Sequence, residues 1–195
     1  FSRNKNESEK SKRTIGALYM TMNNPYFEVI NEEIKAVVES KGDVLETRDS
    51  GMDAKVQAKQ VEKFIEEKVD CILINAVDWK KIGSSLEQAK KAGIPVIAAA
   101  ALPYNRSFVD GTVVSNNYQA GEQCAKDLMK RRKKGKILFL VQSENKSAID
   151  RIKGFKETLE KAGWKYENIG ELECQGQLEL SQPLVEKVLN KTKDI

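Results

Sequence analysis

The stretch Thr14–Phe27, TIGALYMTMNNPYF, predicts a buried strand, a short polar turn and the first turn of a helix. Its apolar residues form a run of the length that a parallel sheet needs. Asn24 suits an N-cap, and Pro25 suits the first helical position, where a missing N–H costs nothing. The polar turn therefore lies at the carboxyl end of the strand, the edge at which open α/β sheets bind ligands. It carries Asn23, Asn24, Tyr26 and Phe27.

The side chains of this turn favour one class of ligand. Two amides beside two aromatic rings suit a molecule with hydroxyls around its rim and C–H groups on its faces, such as a sugar or polyol. In the alternative interpretation the rings belong to the core and Asn24 only caps its helix. The stretch by itself leaves both interpretations open.

The rest of the chain alternates predicted strands and helices. Repeated strand–helix units of this length require parallel strands with right-handed crossovers, so the fold class is α/β. Further strands are predicted at Val44–Leu45, Cys71–Ile74, 95–100, 112–115, 137–141 and, more weakly, 164–173. Helices are predicted over 25–41, 79–92, 147–162 and 181–190, and another begins at about Tyr118. A further helix is predicted after an Asp53 cap, with its inward face formed by Val56, Val61, Phe64 and Ile65.

The amino-acid composition argues against several classes of function. The 195 residues include no histidine, which removes the usual general base and the commonest metal ligand. The three cysteines are far apart and form no zinc pattern, and no apolar stretch is long enough to cross a bilayer.

Residues 1–13 are polar and predicted to be a flexible leader. The basic run 130–136 lacks interleaved aromatics and is interpreted as a solvated face, so no nucleic acid is expected as a partner.

A second polar group follows the strand Cys71–Ile74. Asn75 comes directly after this buried strand, and Asp78 and Trp79 lie in the next loop. An amide can pair with a hydroxyl without placing a charge in a pocket. Alternatively, Asn75 stabilises its own turn. Because Asn24 and Asn75 share one edge of the predicted sheet, together they favour a ligand site.

Several motifs make the chain, from Thr14 onward, resemble the type I periplasmic sugar-binding proteins, closest to the ribose-binding branch. They are MNNPYF at 22–27, VDCILINAVD at 69–78, AGIPVI at 92–97, VVSNNYQAG at 113–121 and RIKGF at 151–155. The resemblance implies two doubly wound parallel-sheet lobes that close on a sugar, with lobe one at 14–116 and a partial, incomplete lobe two at 117–195. It implies that Asn24, Tyr26, Phe27 and Asn75 contact the sugar, with Ser115 beside the hinge; Asn23, Asp78, Trp79 and Arg106 are weaker candidates.

The chain departs from the family pattern in three places. An Asp–Arg pair that the family carries after the fourth strand corresponds to 98–101, with Asn105, Arg106 and Asp110 as possible substitutes. An arginine of the ribose-binding members falls on Ile149. The chain also stops before the later lobe-two strands. Arg151 and Phe155 of the RIKGF motif are interpreted as structural.

The resemblance implies a receptor outside the cytoplasm, periplasmic or a membrane-anchored lipoprotein, that delivers a monosaccharide or polyol to an ABC permease. No catalytic residue, metal or cofactor is expected, and a monomer is expected. One alternative is a sensor module that presents the sugar to a membrane kinase or chemoreceptor. Another is the effector core of a LacI-type regulator, and an enzyme ranks third.

Overall fold

A computed structural model describes residues 11–100 and 104–192, which form two compact units. The first unit holds residues 11–99 and Asn105–Thr112, and the second holds Ala100, Tyr104 and residues 113–192. The main chain thus passes from the first to the second unit between Thr112 and Val113, four residues before the boundary predicted at 116/117. The first ten residues of the predicted leader lie outside the described residues.

The first unit is built on a five-stranded sheet with strand order β2-β1-β3-β4-β5. The pairings β1–β2, β1–β3 and β3–β4 are parallel, which confirms the α/β prediction. The strands are β1 (Thr14–Tyr19), β2 (Val44–Asp49), β3 (Cys71–Ile74), β4 (Val96–Ala99) and β5 (Gly111–Val113). The helices are α1 (Pro25–Ser40), α2 (Ala54–Glu66) and α3 (Gly83–Lys91), with a short 3-10 helix at Arg106–Phe108.

Helix α2 contributes Val61 and Phe64 to the core of this unit, although its inward face differs from the prediction. Val61 and Phe64 are fully buried as expected, and the Phe64 ring packs against Gly16, where a Cβ would collide with the ring. Val56, predicted to face inward, is 41% exposed, and Gln57 takes the buried position instead. The stripe therefore runs through residues 57, 61 and 64, the spacing of one helical face.

The described part of the second unit contains two parallel strands and three helices. The strands are β6 (Gly135–Val141) and β7 (Tyr166–Glu173), and the helices are α4 (Asn117–Arg131), α5 (Lys146–Lys161) and α6 (Leu178–Leu189). No residue of α6 is buried, and its leucines 178, 180, 184 and 189 are exposed. Within the described ranges, none of the helices is both long and apolar enough to span a membrane.

Helices α4 and α5 pack through two glycines from different motifs. A Cβ at Gly121 would overlap the backbone carbonyl oxygen of Arg151, and a Cβ at Gly154 would overlap that of Tyr118. Each helix therefore places its glycine against the backbone of the other. At the start of α4, the Arg151 guanidinium donates to Asn117 Oδ1 at 2.6 Å, and the Asn117 amide donates to the Ser115 carbonyl at 3.1 Å. These contacts agree with the structural interpretation of Arg151.

Candidate functional site

Asn75 is fixed at the carboxyl end of β3 by three hydrogen bonds. Its backbone N–H donates to the Leu18 carbonyl at 2.8 Å, which extends the β1–β3 ladder by one step. Its backbone carbonyl accepts from Gln57 Nε2 at 3.1 Å, and its side-chain Nδ2 donates to the Ala99 carbonyl, also at 3.1 Å. Because a carbonyl can only accept, the amide orientation is determined and Oδ1 faces away from Ala99. Asn75 therefore presents an acceptor.

The turn after β1 brings aromatic rings to the same edge of the sheet. Asn24 Oδ1 accepts from the Tyr26 N–H at 3.0 Å, so Asn24 caps α1 as predicted. The buried Phe27 ring lies 5.8 Å from the Tyr19 ring and 5.2 Å from the Tyr26 ring, measured between centroids. Tyr26 is 53% exposed and can offer its ring to a ligand. Asn23 is exposed, and its N–H donates to Thr21 Oγ1.

Three buried side-chain polar atoms in the described part of the chain have no hydrogen-bond partner: Tyr19 Oη, Asn75 Oδ1 and Trp79 Nε1. All three atoms belong to residues that end β1 or follow β3. Tyr19 is the last residue of β1, Asn75 follows β3, and Trp79 lies in the next loop. An unpaired buried polar group costs roughly 1–3 kcal/mol, so such groups are rare without a purpose. Their residues all end or follow β1 and β3, at the carboxyl ends of these strands, where the sequence predicts the ligand site.

The loop after β3 is held by Asp78. Its Oδ1 accepts from the backbone N–H groups of Lys80 and Lys81 at 2.8 and 3.1 Å, and its other oxygen pairs with the Lys81 ammonium at 2.8 Å. Burial raises the pKa of Asp78, but the hydrogen bonds from Lys81 and Lys80 outweigh burial and lower the pKa overall. Asp78 thus organises the turn that buries Trp79.

The structure does not group Arg106 with these residues. Arg106 begins the 3-10 helix, which Asn105 caps through Oδ1, and the Ser107 carbonyl accepts from Lys90 Nζ in the last turn of α3. Asp110 forms two hydrogen bonds with the backbone of Val96, the first residue of β4, and so lies at the amino end of that strand. Asn105 and Asp110, two of the three suggested substitutes for the family's charged pair, therefore serve local structure.

Ser115 belongs to the second unit, where it lines a cavity of about 300 Å³. The cavity lies at the first turns of α4 and α5. Its lining includes the ion pair of Lys146 and Asp150, and Ser147, whose Oγ donates to the Ala100 carbonyl at 3.0 Å. Ile149, where the ribose-binding members carry an arginine, is exposed on α5. Within the described residues, no group of three or more cysteines, aspartates or glutamates could hold a metal ion.

The comparison with known protein families is consistent with this geometry. The profile of the family described as the periplasmic binding protein domain matches residues 15–195. The chain belongs to this family. The ribose import binding protein RbsB of Bacillus subtilis is 31% identical over 120 residues, which cover 62% of this chain and 39% of RbsB. The family predicted from the sequence motifs is thereby confirmed.

Solved structures establish the fold of this periplasmic binding protein. An ABC transporter solute binding protein from Mycobacterium smegmatis, with bound glycerol, has a TM-score of 0.87 at 22% identity and covers 94% of this chain. A second, from Agrobacterium vitis with bound D-fucose, has a TM-score of 0.84 at 23% identity and covers 93%. The chain spans 64% and 65% of those two proteins, and 39% of RbsB.

The sequence pattern does not single out Tyr19 or Gln57. A tyrosine at the end of a buried strand needs a partner for its hydroxyl, which is the signal for Tyr19. Gln57 is hidden because the pattern predicts Val56 on the inward face of α2. The available signal was a polar residue at the spacing of Val61 and Phe64, since a buried amide must find partners.

We expect Tyr19→Phe to raise the free energy of unfolding by about 1 kcal/mol, because the change removes a buried hydroxyl that lacks a partner. The measurement is urea unfolding of the two proteins at neutral pH. A lower free energy of unfolding for the phenylalanine variant would show that the hydroxyl is satisfied in the folded protein.

The same variant tests a pH dependence. Burial raises the pKa of Tyr19 from 10.0 to about 12. Above pH 10 the unfolded chain releases this proton while the folded protein keeps it, so Tyr19 makes stability fall as pH rises from about 10 towards about 12. Tyr19→Phe should remove part of this fall. Tyr118 remains as the internal reference, since its hydrogen bond to Glu157 also raises its pKa to about 12.

Proposed function

We propose that this protein captures a monosaccharide or related polyol outside the cytoplasm and delivers it to an ABC permease, without chemical change to the sugar. The observation that carries the proposal is the set of unpaired polar atoms at the carboxyl ends of β1 and β3, together with the Tyr19, Phe27 and Tyr26 rings that pack on one another after β1. Hydroxyls of a sugar would pair with the polar atoms, and its C–H faces would pack on the rings.

The polarity of the site supports an uncharged ligand. Asn75 offers a carbonyl oxygen, Trp79 offers an N–H, and Tyr19 offers a hydroxyl that can donate or accept. Asp78 is committed to its own turn and to Lys81. Neutral donors and acceptors match a molecule whose hydroxyls do both.

The molecules named for the relatives have the chemistry that we propose for the ligand. RbsB is named for ribose import, and the two solved structures hold glycerol and D-fucose. All three molecules are neutral and hydroxyl-rich. In our proposal Asn24, Tyr26, Phe27 and Asn75 contact the sugar, Asn23, Asp78 and Trp79 shape that edge of the sheet, and Ser115 is a further candidate contact.

A thermal-shift screen tests the proposal, because a ligand that binds only the native state raises the melting temperature. The panel is D-ribose, D-fucose, D-allose, D-arabinose, L-rhamnose, D-glucose and glycerol. Unfolding is followed by tryptophan fluorescence in a Trp164→Phe background, so that the signal comes from Trp79, which is buried in the first unit. A rise with one or more sugars and none with charged controls of similar size is expected. No rise with any member at millimolar concentration would contradict sugar binding.

The partner requires a separate experiment. Affinity purification from membranes, with and without the sugar found in the screen, should recover an ABC permease. Recovery of a kinase or chemoreceptor instead would identify a sensor, and a DNA-binding domain in the full gene would identify a regulator. Steady turnover of a sugar by the purified protein would contradict a purely binding role.

A further inference from the structure

We propose that Gln57 is a positioning residue for ligand recognition: its amide holds the backbone on both sides of Ala76, so that the acceptor of Asn75 is presented in one orientation. The proposal rests on the proposed function, because it assumes that Asn75 contacts the ligand. It concerns a side chain of α2 that does not itself contact the ligand.

The contacts of Gln57 are fully specified. The side chain is completely buried. Its Nε2 donates to the Asn75 carbonyl at 3.1 Å, and its Oε1 accepts from the Val77 N–H at 2.8 Å. Because one partner can only accept and the other can only donate, the amide has a single satisfied orientation. Gln57 thus bridges two backbone groups of the turn that follows β3.

This bridge fixes the direction of Asn75. The backbone N–H and the side-chain Nδ2 of Asn75 are bound to Leu18 and Ala99, and the Gln57 bond completes the backbone restraint. Only Oδ1 remains without any partner. An acceptor held in place before binding loses less conformational freedom when it pairs with a ligand hydroxyl. Loss of the bridge would let the turn rotate and misdirect that acceptor.

Gln60 provides a matched control one helical turn further along α2. Its Nε2 donates to the Asp49 carbonyl at 2.7 Å, and its Oε1 accepts from Ser50 Oγ at 2.9 Å. It therefore performs the same kind of bridging at the end of β2. No residue proposed to contact the ligand lies at that strand end. A comparison of variants at Gln57 and Gln60 therefore distinguishes positioning of Asn75 from general support of the sheet.

The first test compares Gln57→Met with Gln60→Met by calorimetric titration with D-ribose, well below each melting temperature. Both variants are expected to melt earlier than the unaltered protein. Gln57→Met should also weaken D-ribose binding roughly tenfold or more, whereas Gln60→Met should stay within about twofold. Equal affinities for the two folded variants would overturn the positioning role.

Gln57→Glu adds a pH readout that a purely structural role would not change. A protonated carboxyl can donate to the Asn75 carbonyl and accept from Val77, as the amide does, whereas a carboxylate cannot donate. Burial raises the pKa of a carboxyl at such a position. D-Ribose affinity of the folded variant should therefore recover as pH falls from about 8 to about 5. A flat profile at low affinity would contradict the proposal.

The unaltered protein should show no such recovery. Hydrogen bonds from the Val56 and Lys55 N–H groups lower the pKa of Asp53 at the start of α2, and that of Asp78 after β3 is also lowered. Both carboxylates therefore stay charged across this range. Gln60→Glu serves as the control for a carboxyl introduced on the same helix.

A measurement on the ligand-free protein separates this proposal from the proposed function. In ¹H–¹⁵N spectra, Gln57→Met should move the Asn75 side-chain amide signals and speed exchange of the Val77 N–H, while Gln60→Met should leave both in place. Unmoved Asn75 signals would overturn the positioning role whatever sugars bind. Moved signals in a protein that binds no sugar of the panel would instead refute the proposed function. If Gln57→Met fails to fold, Gln57→Glu supplies the comparison: its Asn75 side-chain signals should be displaced at about pH 8 and return towards those of the unaltered protein at about pH 5.

Discussion

Asn75→Ala is expected to weaken binding of the sugar that the screen identifies, with D-ribose as the first probe, by roughly ten- to a hundredfold. The change removes Oδ1, the atom that has no partner within the protein, so a ligand hydroxyl buried against it would lose its acceptor. Truncations of this kind cost about 1–3 kcal/mol, which corresponds to that range of affinity. Isothermal titration calorimetry measures the change directly.

The variant also leaves the Ala99 carbonyl without its donor, so stability must be separated from binding. Asn105→Ala is the matched control, because Asn105 is in the same unit and its Oδ1 only caps the short 3-10 helix. The sugar affinity of the Asn105→Ala variant should be unchanged.

Asn24 needs a milder test, since alanine would remove the α1 cap. Asn24→Asp keeps the cap acceptor and replaces only the amide nitrogen. Unchanged affinity in both Asn75→Ala and Asn24→Asp would exclude these residues from the site.

Gly154→Ala and Gly121→Ala are expected to lower the free energy of unfolding of the second unit by about 3 kcal/mol or more. A glycine-to-alanine change inside a helix ordinarily stabilises it by up to about 1 kcal/mol. Here the added Cβ would overlap a backbone carbonyl oxygen of the neighbouring helix, at Tyr118 or Arg151. A carbonyl cannot rotate away as a side chain can, so α4 and α5 must separate.

Urea unfolding followed by fluorescence measures this effect unit by unit. The chain has two tryptophans, Trp79 in the first unit and Trp164 in the second, so Trp79→Phe isolates the second signal. Gly135→Ala is the control in the same unit, because a Cβ there would lie 3.7 Å from the Trp164 ring, an ordinary contact. An unchanged or raised unfolding midpoint for Gly154→Ala would show that the helices can part at little cost.

The sequence was most informative where local chemistry decides the structure. Asp53 caps α2 through two backbone N–H groups as predicted, and β3 has the predicted limits because a short apolar run between turns has few alternatives. Strand β2 extends to Asp49 rather than ending at Leu45, since its polar residues are satisfied in tertiary contacts. Arg48 pairs with Glu46 and Glu67, and its guanidinium lies 4.0 Å from the centre of the Phe64 ring.

The candidate site was only partly accessible to the same reasoning. Strand order and turn chemistry placed Asn24 and Asn75 on one edge, but which atom of each amide is already engaged depends on neighbours distant in sequence. Asn75 donates to Ala99, which lies 24 residues away, and Gln57 reaches Asn75 across 18. Periodicity cannot reveal such partners, because it describes which face a residue occupies and not what it bonds to there.

The packing of Gly121 and Gly154 against the opposite helix has an evolutionary consequence. Gly121 makes room for the Arg151 backbone, and Gly154 makes room for the Tyr118 backbone. Replacing either glycine would force the two helices apart, and a side chain at the other glycine position would then no longer be excluded. Among related proteins the two positions should therefore vary together, either both lacking a side chain or both carrying one across a wider helix spacing. The motifs NNYQAG (Asn116–Gly121) and RIKGF (Arg151–Phe155) would then be inherited as one packing unit, although 30 positions separate Gly121 from Arg151.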